Sequence, residues 1–248
     1  MADPLPAGST VYVVDAHSLI FQVFHAIPEM TSPRGEPVNA VFGFTKDLLK
    51  LLEEKRPDAL ICAFDPPGDT FRHELYPVYK GERGEMPGEL RSQIPQIEDV
   101  VTALGIPIIS VPNFEADDVL ATVARLCDEA KVLCRLVTGD KDCRQLITEH
   151  VAVYNIRKDH VYDEVALQAD WGIRPDQVVD FQALVGDKID NVPGVPLIGP
   201  KIAKELLEQF GTLESVLDNA EQVKGAKRKQ NLMEGREMAL LSKKLVRL

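Results

Sequence analysis

The chain has 248 residues, 45% of them hydrophobic, and carries a formal net charge of −11 from 28 basic and 39 acidic side chains. That is enough apolar material for one large core or a core with a smaller lobe, while no run approaches the roughly 18 apolar residues of a membrane span. The opening MADPLPAGST is neither basic nor apolar enough for a signal peptide, and Cys62, Cys127, Cys134 and Cys143 lack the CxxC spacing of a zinc site, so reduced cytosolic thiols are expected.

In chain order, Val11 to Val14 reads as a short buried strand ending at Asp15. Ala40 to Glu54 has helical spacing at Val41, Phe44, Leu48, Leu51 and Leu52. Ala59 to Phe64 is a second strand, closed by Asp65. Residues 66–93 then mix bases, aromatics, glycines and prolines, an insertion too polar for a core. Helical spacing returns at Ile94 to Leu104. The strand Pro107 to Val111 leads to Glu115, Asp117 and Asp118, which open the helix Ala116 to Lys131, and Val132 to Val137 leads to Asp140 and Asp142. Strands separated by long helical crossovers require a parallel sheet. The expected fold is therefore α/β, a doubly wound, mainly parallel sheet over residues 1–174 with an insertion at about 66–93. A smaller helical lobe over 175–248, divided by Gly and Pro, completes it.

Each strand delivers a carboxylate at or beyond its C-terminal end. In an open parallel sheet those ends share one edge, where ligands bind. Asp15 can instead cap the helix near Ser18, and Asp142 the one containing Leu146. Repetition at successive strand ends favours a shared site, because unneutralised carboxylates in a dry cleft each cost several kcal/mol, on the order of a buried ion's penalty, or take up protons. Oxygen ligands without His or Cys select Mg²⁺, with Mn²⁺ able to substitute. With Asp187 and Asp190 from the helical lobe, the set suffices for two ions about 3.5 to 4 Å apart, the arrangement of in-line phosphoryl displacement.

Two segments carry candidate phosphate grips. Gly194 to Ala203 reads as a tight turn opening a helix, with Gly194, Gly199 and Lys201 at the turn and Pro200 at a favourable first helical position; such turns are also common without a ligand. In the insertion, Arg72, Lys80 and Arg83 lie among Phe71, Tyr76 and Tyr79. That suits a single strand whose phosphates meet cations and whose bases stack, or a solvated helix with inward rings. From Lys224 to Leu248 there are eight Lys or Arg against two Glu, whereas the first 223 residues carry 20 basic and 37 acidic side chains.

Through VVDAHSLIF, SPRGEPVNAVFGF, FRHELYPVYKGER, NFEADDVLATVA, VTGDKDCRQL and GDKIDNVPGVPLIGPKIA, the chain resembles the 5′ nuclease superfamily, and within it the 5′–3′ exonuclease domain that opens bacterial DNA polymerase I. The likeness spans nearly the whole length. It implies a helical arch at the insertion, a helix-hairpin-helix in the C-terminal lobe, and hydrolysis of DNA phosphodiester bonds at 5′ ends and flaps in primer removal and repair. By the same likeness Asp15, Asp65, Glu115, Asp117, Asp140, Asp142 and Asp187 match metal ligands, and Asp118 and Asp190 match acids in or just outside that shell. Lys80 and Arg83 match gateway residues at the scissile phosphate, and Tyr79 a neighbouring aromatic. Lys80, Arg83, Asp117 and Asp140 are thus the expected catalytic residues, and Arg72, Tyr79, Lys80, Arg83, Gly194, Gly199 and Lys201 the expected DNA contacts. The resemblance further implies a K⁺ at the hairpin, flap, nicked or forked DNA and an RNA primer in a hybrid as partners, a polymerase domain in the parent chain, a C-terminal truncation, and a cytoplasmic, nucleoid-associated enzyme.

Three positions depart from the family pattern: Gln22 where arginine is usual, Leu197 where the hairpin often has glycine, and Ile189 for a small polar residue. Gln22 and Leu197 keep open a second reading, a DNA-binding module with impaired catalysis. A PIN-like ribonuclease is a third.

Overall fold

The structure is a computed structural model that describes residues 5–248; Met1 to Pro4, the start of the segment read against a signal peptide, lie outside the described residues. Among the described residues no helix is long and apolar enough to cross a membrane. Two compact units are present. One comprises the chain up to Gly68 with Glu85–Asp163, the other Asp69–Gly84 with Glu164–Leu248.

The first unit is a six-stranded sheet. Its strands are β1 (Thr10–Asp15), β2 (Ala59–Ala63), β3 (Ile108–Ile109), β4 (Leu133–Val137), β5 (Val151–Asn155) and β6 (His160–Tyr162), in the order β3-β2-β1-β4-β5-β6. All neighbours are parallel except β5 and β6. The sheet is thus doubly wound and mainly parallel, as expected, with β5 and the antiparallel β6 added beyond the strands read from the sequence. Val13, Val14, Cys62, Ala63 and Leu136 are wholly or almost wholly buried, as strands covered on both faces must be. The order reverses between β1 and β4, so the ligand-binding edge of the sheet is the C-terminal end of those strands.

Helix starts place the core and the acids together. Asp15 is the N-cap of the helix Ala16–Ala26, its carboxylate accepting from Ser18 N–H at 3.0 Å. The helix Asn39–Lys50 has no side-chain cap of its own. Gln93 serves it from a distance, Oε1 accepting from the N–H groups of Ala40 at 2.8 Å and Val41 at 3.1 Å. The helix Ala116–Glu129 opens on a capping box: Glu115 accepts from Asp118 N–H, and Asp118 Oδ2 accepts from Glu115 N–H at 2.9 Å. Beneath these helices Val14, Leu19, Ile20, Phe44, Leu48 and Leu51 form the core, each worth roughly 1.5 to 3 kcal/mol of burial.

The second unit is helical. Val178–Val185 and Pro200–Phe210 flank a hairpin in which Asp187 and Val192 form a short antiparallel bridge. Two glycines make the hairpin's close approach. Gly194, at φ +63°, would place a Cβ 2.5 Å from Gly186 N, and Gly186, at φ +75°, would place one 2.7 Å from Val192 O. Trp171 stacks on Phe181 with ring centroids 5.0 Å apart, which ties the chain ahead of residue 175 to this unit. By compactness the helical unit begins at Glu164, ahead of the expected boundary at 174/175. The insertion is likewise split: 69–84 belongs to the helical unit, whereas beyond it the wholly buried Gln93 belongs to the sheet unit, as its bonds to Ala40 and Val41 require.

Candidate active-site residues

In the sheet unit the expected carboxylates sit where the strand ends place them. Asp15 closes β1, Asp65 stands just past β2, and Asp140 follows β4. Asp15 is buried. Its carboxylate accepts from Ser18 N–H and, at 2.8 Å, from Thr138 Oγ1, yet burial, assisted by the charges of Asp65 and Asp140, pushes its pKa up to about 7. Asp65 is more exposed: Oδ1 accepts from Ala116 N–H at 2.7 Å, and His17 Nδ1 lies 3.5 Å from Oδ2. The Asp65 N–H donates to that same ring nitrogen at 3.2 Å.

Glu115 is buried and shares the capping box with Asp118, so both serve the helix start as well as the acidic edge. Asp117 Oδ1 accepts from Cys143 Sγ at 3.4 Å. The Cys143 thiol is pushed well above its ordinary value, first by burial and then by Asp117, Asp140 and Asp15, so three expected ligands act on one sulfur. Asp140 Oδ1 accepts from Asp142 N–H at 2.8 Å, and Asp142 opens a 3₁₀ turn rather than capping it. All four cysteines are free and buried.

Among the described residues no three His, Cys, Asp or Glu side chains are already grouped closely enough to hold an ion. The chemistry of the donors nevertheless fits a hard divalent cation. Carboxylates dominate the edge, and the anion of Asp15, disfavoured by burial and by like charge, is one that a neighbouring cation would relieve.

Sequence reading missed a hydrogen-bond relay behind Asp15. Thr138 Oγ1 donates to Asp15 and lies 3.4 Å from Ser18 Oγ, which accepts from Gly139 N–H and from Gln22 Nε2, both at 3.2 Å. Asp140 N–H returns to Thr138 Oγ1 at 3.0 Å. Gln22, where the family usually has arginine, thus supports the loop that carries Asp140. The available signal was a hydroxyl residue directly after the β4 run.

In the helical unit Asp187 Oδ1 accepts from Ile189 N–H at 2.7 Å. Asp190 is buried and holds Lys80 and Arg83: its backbone oxygen accepts from Lys80 N–H at 3.0 Å, and Oδ1 accepts from Arg83 Nε at 3.1 Å and from Arg83 Nη2. Lys80 is held at φ +55°, with Nζ 5.1 Å from the Tyr79 ring centroid.

Three expected DNA contacts are corrected by burial. Arg72 is 1% exposed, Nε donating to Leu245 O at 2.8 Å and Nη2 to Arg247 O at 2.9 Å; it binds the C-terminal end of the helix Arg236–Val246, not phosphate. The Tyr79 ring is 4% exposed and packs with Val192, Leu245 and Val246, so no base can stack on it. Gly194 donates its N–H to Ser242 Oγ at 3.1 Å and is needed for close approach to Gly186. Gly199 remains the N-cap of Pro200–Phe210, with open space where a Cβ would be, and Lys201 is exposed beside it. Leu197 does adopt φ +68°, and is 60% exposed.

The 5′-3′ exonuclease N-terminal resolvase-like domain matches residues 10–172, and the 5′-3′ exonuclease C-terminal SAM fold matches 173–248. A 5′-3′ exonuclease of Aquifex aeolicus is 37% identical over 86% of this chain and 73% of its own length. DNA polymerase I of Bacillus caldotenax is 41% identical over 94% of this chain, which spans 27% of that relative. The T5 5′-exonuclease, in a structure with divalent metal ions (zinc) bound, superposes with a TM-score of 0.80 at 23% identity, covering 96% of this chain and 89% of its own. The catalytic core of Rad2 in complex with DNA substrate gives 0.57 at 23%, covering 97% and 74%; at these identities the likeness is one of fold. Matched from residue 10 to residue 248 by the two domain models in succession, the chain belongs to the 5′–3′ exonuclease family.

Proposed function

We propose that this chain is a divalent-metal-dependent 5′–3′ exonuclease and flap endonuclease that hydrolyses DNA phosphodiester bonds at 5′ flaps, nicks and forks, including RNA primers in hybrids, within a bacterial cytoplasmic DNA polymerase I. The observation that carries it is the delivery of Asp15, Asp65 and Asp140 by the ends of β1, β2 and β4 at one edge of a parallel sheet. The metal-bound T5 structure and the DNA-bound Rad2 structure support the reading by fold.

Asp15, Asp65, Glu115, Asp117, Asp140 and Asp142 would hold Mg²⁺ or Mn²⁺, with Asp118 acting through water or the capping box, and we assign Asp187 to the same ligand chemistry. When bound, the ions supply Lewis acidity toward the phosphate and an attacking water of lowered pKa. The chain's own part is to fix the carboxylates through Ser18, Thr138 and the helix starts, and to hold Lys80 and Arg83 through Asp190 for transition-state charge. Lys201 and the Gly199 turn engage the duplex backbone, where a K⁺ would sit. Cleavage of a 5′-labelled flap in Mg²⁺, abolished by EDTA, is the expected result; cleavage unaffected by EDTA would overturn the metal mechanism. Flap binding without cleavage would favour a catalytically impaired module, and preference for single-stranded RNA a PIN-like ribonuclease.

A further inference from the structure

In the sheet unit the helix Asn39–Lys50 runs on into a π-helical turn, Leu51–Lys55. Its inward side is filled: Phe44, Leu48 and Leu51 are wholly buried. Its outward side is open. Phe42 is 52% exposed and Leu49 38%, with Lys46 and Glu53 exposed between and after them. Spacings of four, three and four residues put Phe42, Lys46, Leu49 and Glu53 on one stripe, and with Lys50 and Glu54 they line a surface groove. A single exposed leucine needs no explanation. A phenylalanine and a leucine two turns apart along one groove form a seam.

Charge along the seam is ordered, with Lys46 and Lys50 in its first part and Glu53 and Glu54 in its last. None of these four side chains is ion-paired among the described residues, whereas the buried Asp47 on the inward side pairs with Arg157. Lys46 and Glu53 stand about 10 Å apart along the axis, too far to meet each other. A run of two positive and then two negative charges is complementary to itself read in the opposite direction. An antiparallel copy brings Lys46 to Glu53 and Glu53 to Lys46, with Leu49 beside the twofold axis. A uniformly acidic or uniformly basic partner would meet like charge at one end of the groove.

We propose that this face is the seam of a symmetric homodimer, in which the helices of two copies pack antiparallel over Phe42 and Leu49 and are set in register by two Lys46–Glu53 pairs. A strip about 18 Å long and 10 Å wide on each copy falls short of the roughly 1,200 Å² at which stable interfaces begin. The dimer is therefore a concentration-dependent one, with a dissociation constant on the order of 100 µM. None of its residues is assigned to metal or DNA, so the inference stands apart from the function proposed above.

The test is sedimentation equilibrium of the parent chain and its variants from about 5 to 500 µM, a range that brackets that dissociation constant. The parent should approach the mass of a dimer at the top of the range. Lys46→Glu and Glu53→Lys each turn both pairs from attractive to repulsive and should weaken association about tenfold or more. An equimolar mixture of these two variants restores both pairs across a mixed dimer, and Lys46→Glu/Glu53→Lys restores them within one; both should associate as the parent does. Phe42→Ser/Leu49→Ser should stay monomeric throughout. Recovery in the mixture separates a lost seam from a misfolded chain. A parent that is monomeric across the range overturns the proposal, as do single variants that associate like the parent, or a mixture no heavier than its components.

Discussion

Asp190→Asn isolates the contact that holds Arg83, proposed above to stabilise transition-state charge. The Asp190 side chain is 10% exposed and that of Arg83 45% exposed, with Oδ1 accepting from both Nε and Nη2. Asparagine keeps the shape and one acceptor and removes the charge. A charge-assisted bond contributes about 1.5 to 3 kcal/mol and a neutral one about 0.5 to 1.5. Because the half-exposed guanidinium recovers water, the net loss falls to about 1 kcal/mol, or about 2 to 4 °C in Tm for a chain of this size. Thermal melts in EDTA of the parent, Asp190→Asn, Arg83→Gln and the double variant should show a coupling of about 1 kcal/mol. Single-turnover flap cleavage should fall about fivefold if that energy is lost from transition-state positioning. Additive melts, or a variant altered only in the Mg²⁺ concentration for half-maximal cleavage, would refute this and make Asp190 a metal ligand instead.

Arg72→Ala should cost on the order of 3 kcal/mol in a denaturant titration, since it leaves the carbonyls of Leu245 and Arg247 without their buried donor; duplex affinity, measured well below the melt, should stay parental. Leu197→Val should lower stability by about 1 kcal/mol or more, because a β-branched residue tolerates φ +68° worse than leucine does, whereas Leu197→Asn should be neutral or stabilising in the same titration. Burial raises the Glu214 carboxyl, but Lys243's hydrogen bond and charge outweigh it and hold the pKa below its ordinary value. The Lys243 ammonium, although burial lowers its pKa, is held above its ordinary value by Asp180 and Glu214. The Glu214 contribution is therefore present above the ordinary carboxyl range and lost as pH falls through the folded value; that of Lys243 is complete below the ordinary lysine value and lost as pH rises through the folded one. Glu214→Gln should flatten the acid limb of a pH–stability curve, and an unchanged limb would contradict the pairing.

The sheet was legible because its first strands are short apolar runs, each with an acid at or just beyond its C-terminal end. Val11 to Val14, Ala59 to Phe64 and Val132 to Val137 all pair as the pattern requires. The strand Val151–Asn155 went unread although it is buried, and His160–Tyr162 is too short and too exposed to carry a period. Carboxylates at strand ends were legible for the same reason as the strands. Which of the insertion's bases and rings face outward was not, because the partners lie far along the chain: Arg72 meets a carbonyl 173 residues away. Gly194 likewise spends its N–H on Ser242, a bond that no local turn signal announces. Leu197 stood out only against the family pattern, in which the hairpin often has glycine, and it does take φ +68°.

The central claim, that strand-end carboxylates hold the ions which drive phosphodiester cleavage, is tested most directly by single-turnover cleavage of a 5′-labelled flap across a Mg²⁺ titration, comparing the parent chain with Asp140→Asn. The account predicts saturable Mg²⁺ dependence in the parent, and in the variant a rate lower by at least about a hundredfold, a loss of the size that follows removal of one charge-stabilising group, together with a higher Mg²⁺ requirement. Equal rates at every Mg²⁺ concentration, or parental cleavage without Mg²⁺, would contradict it.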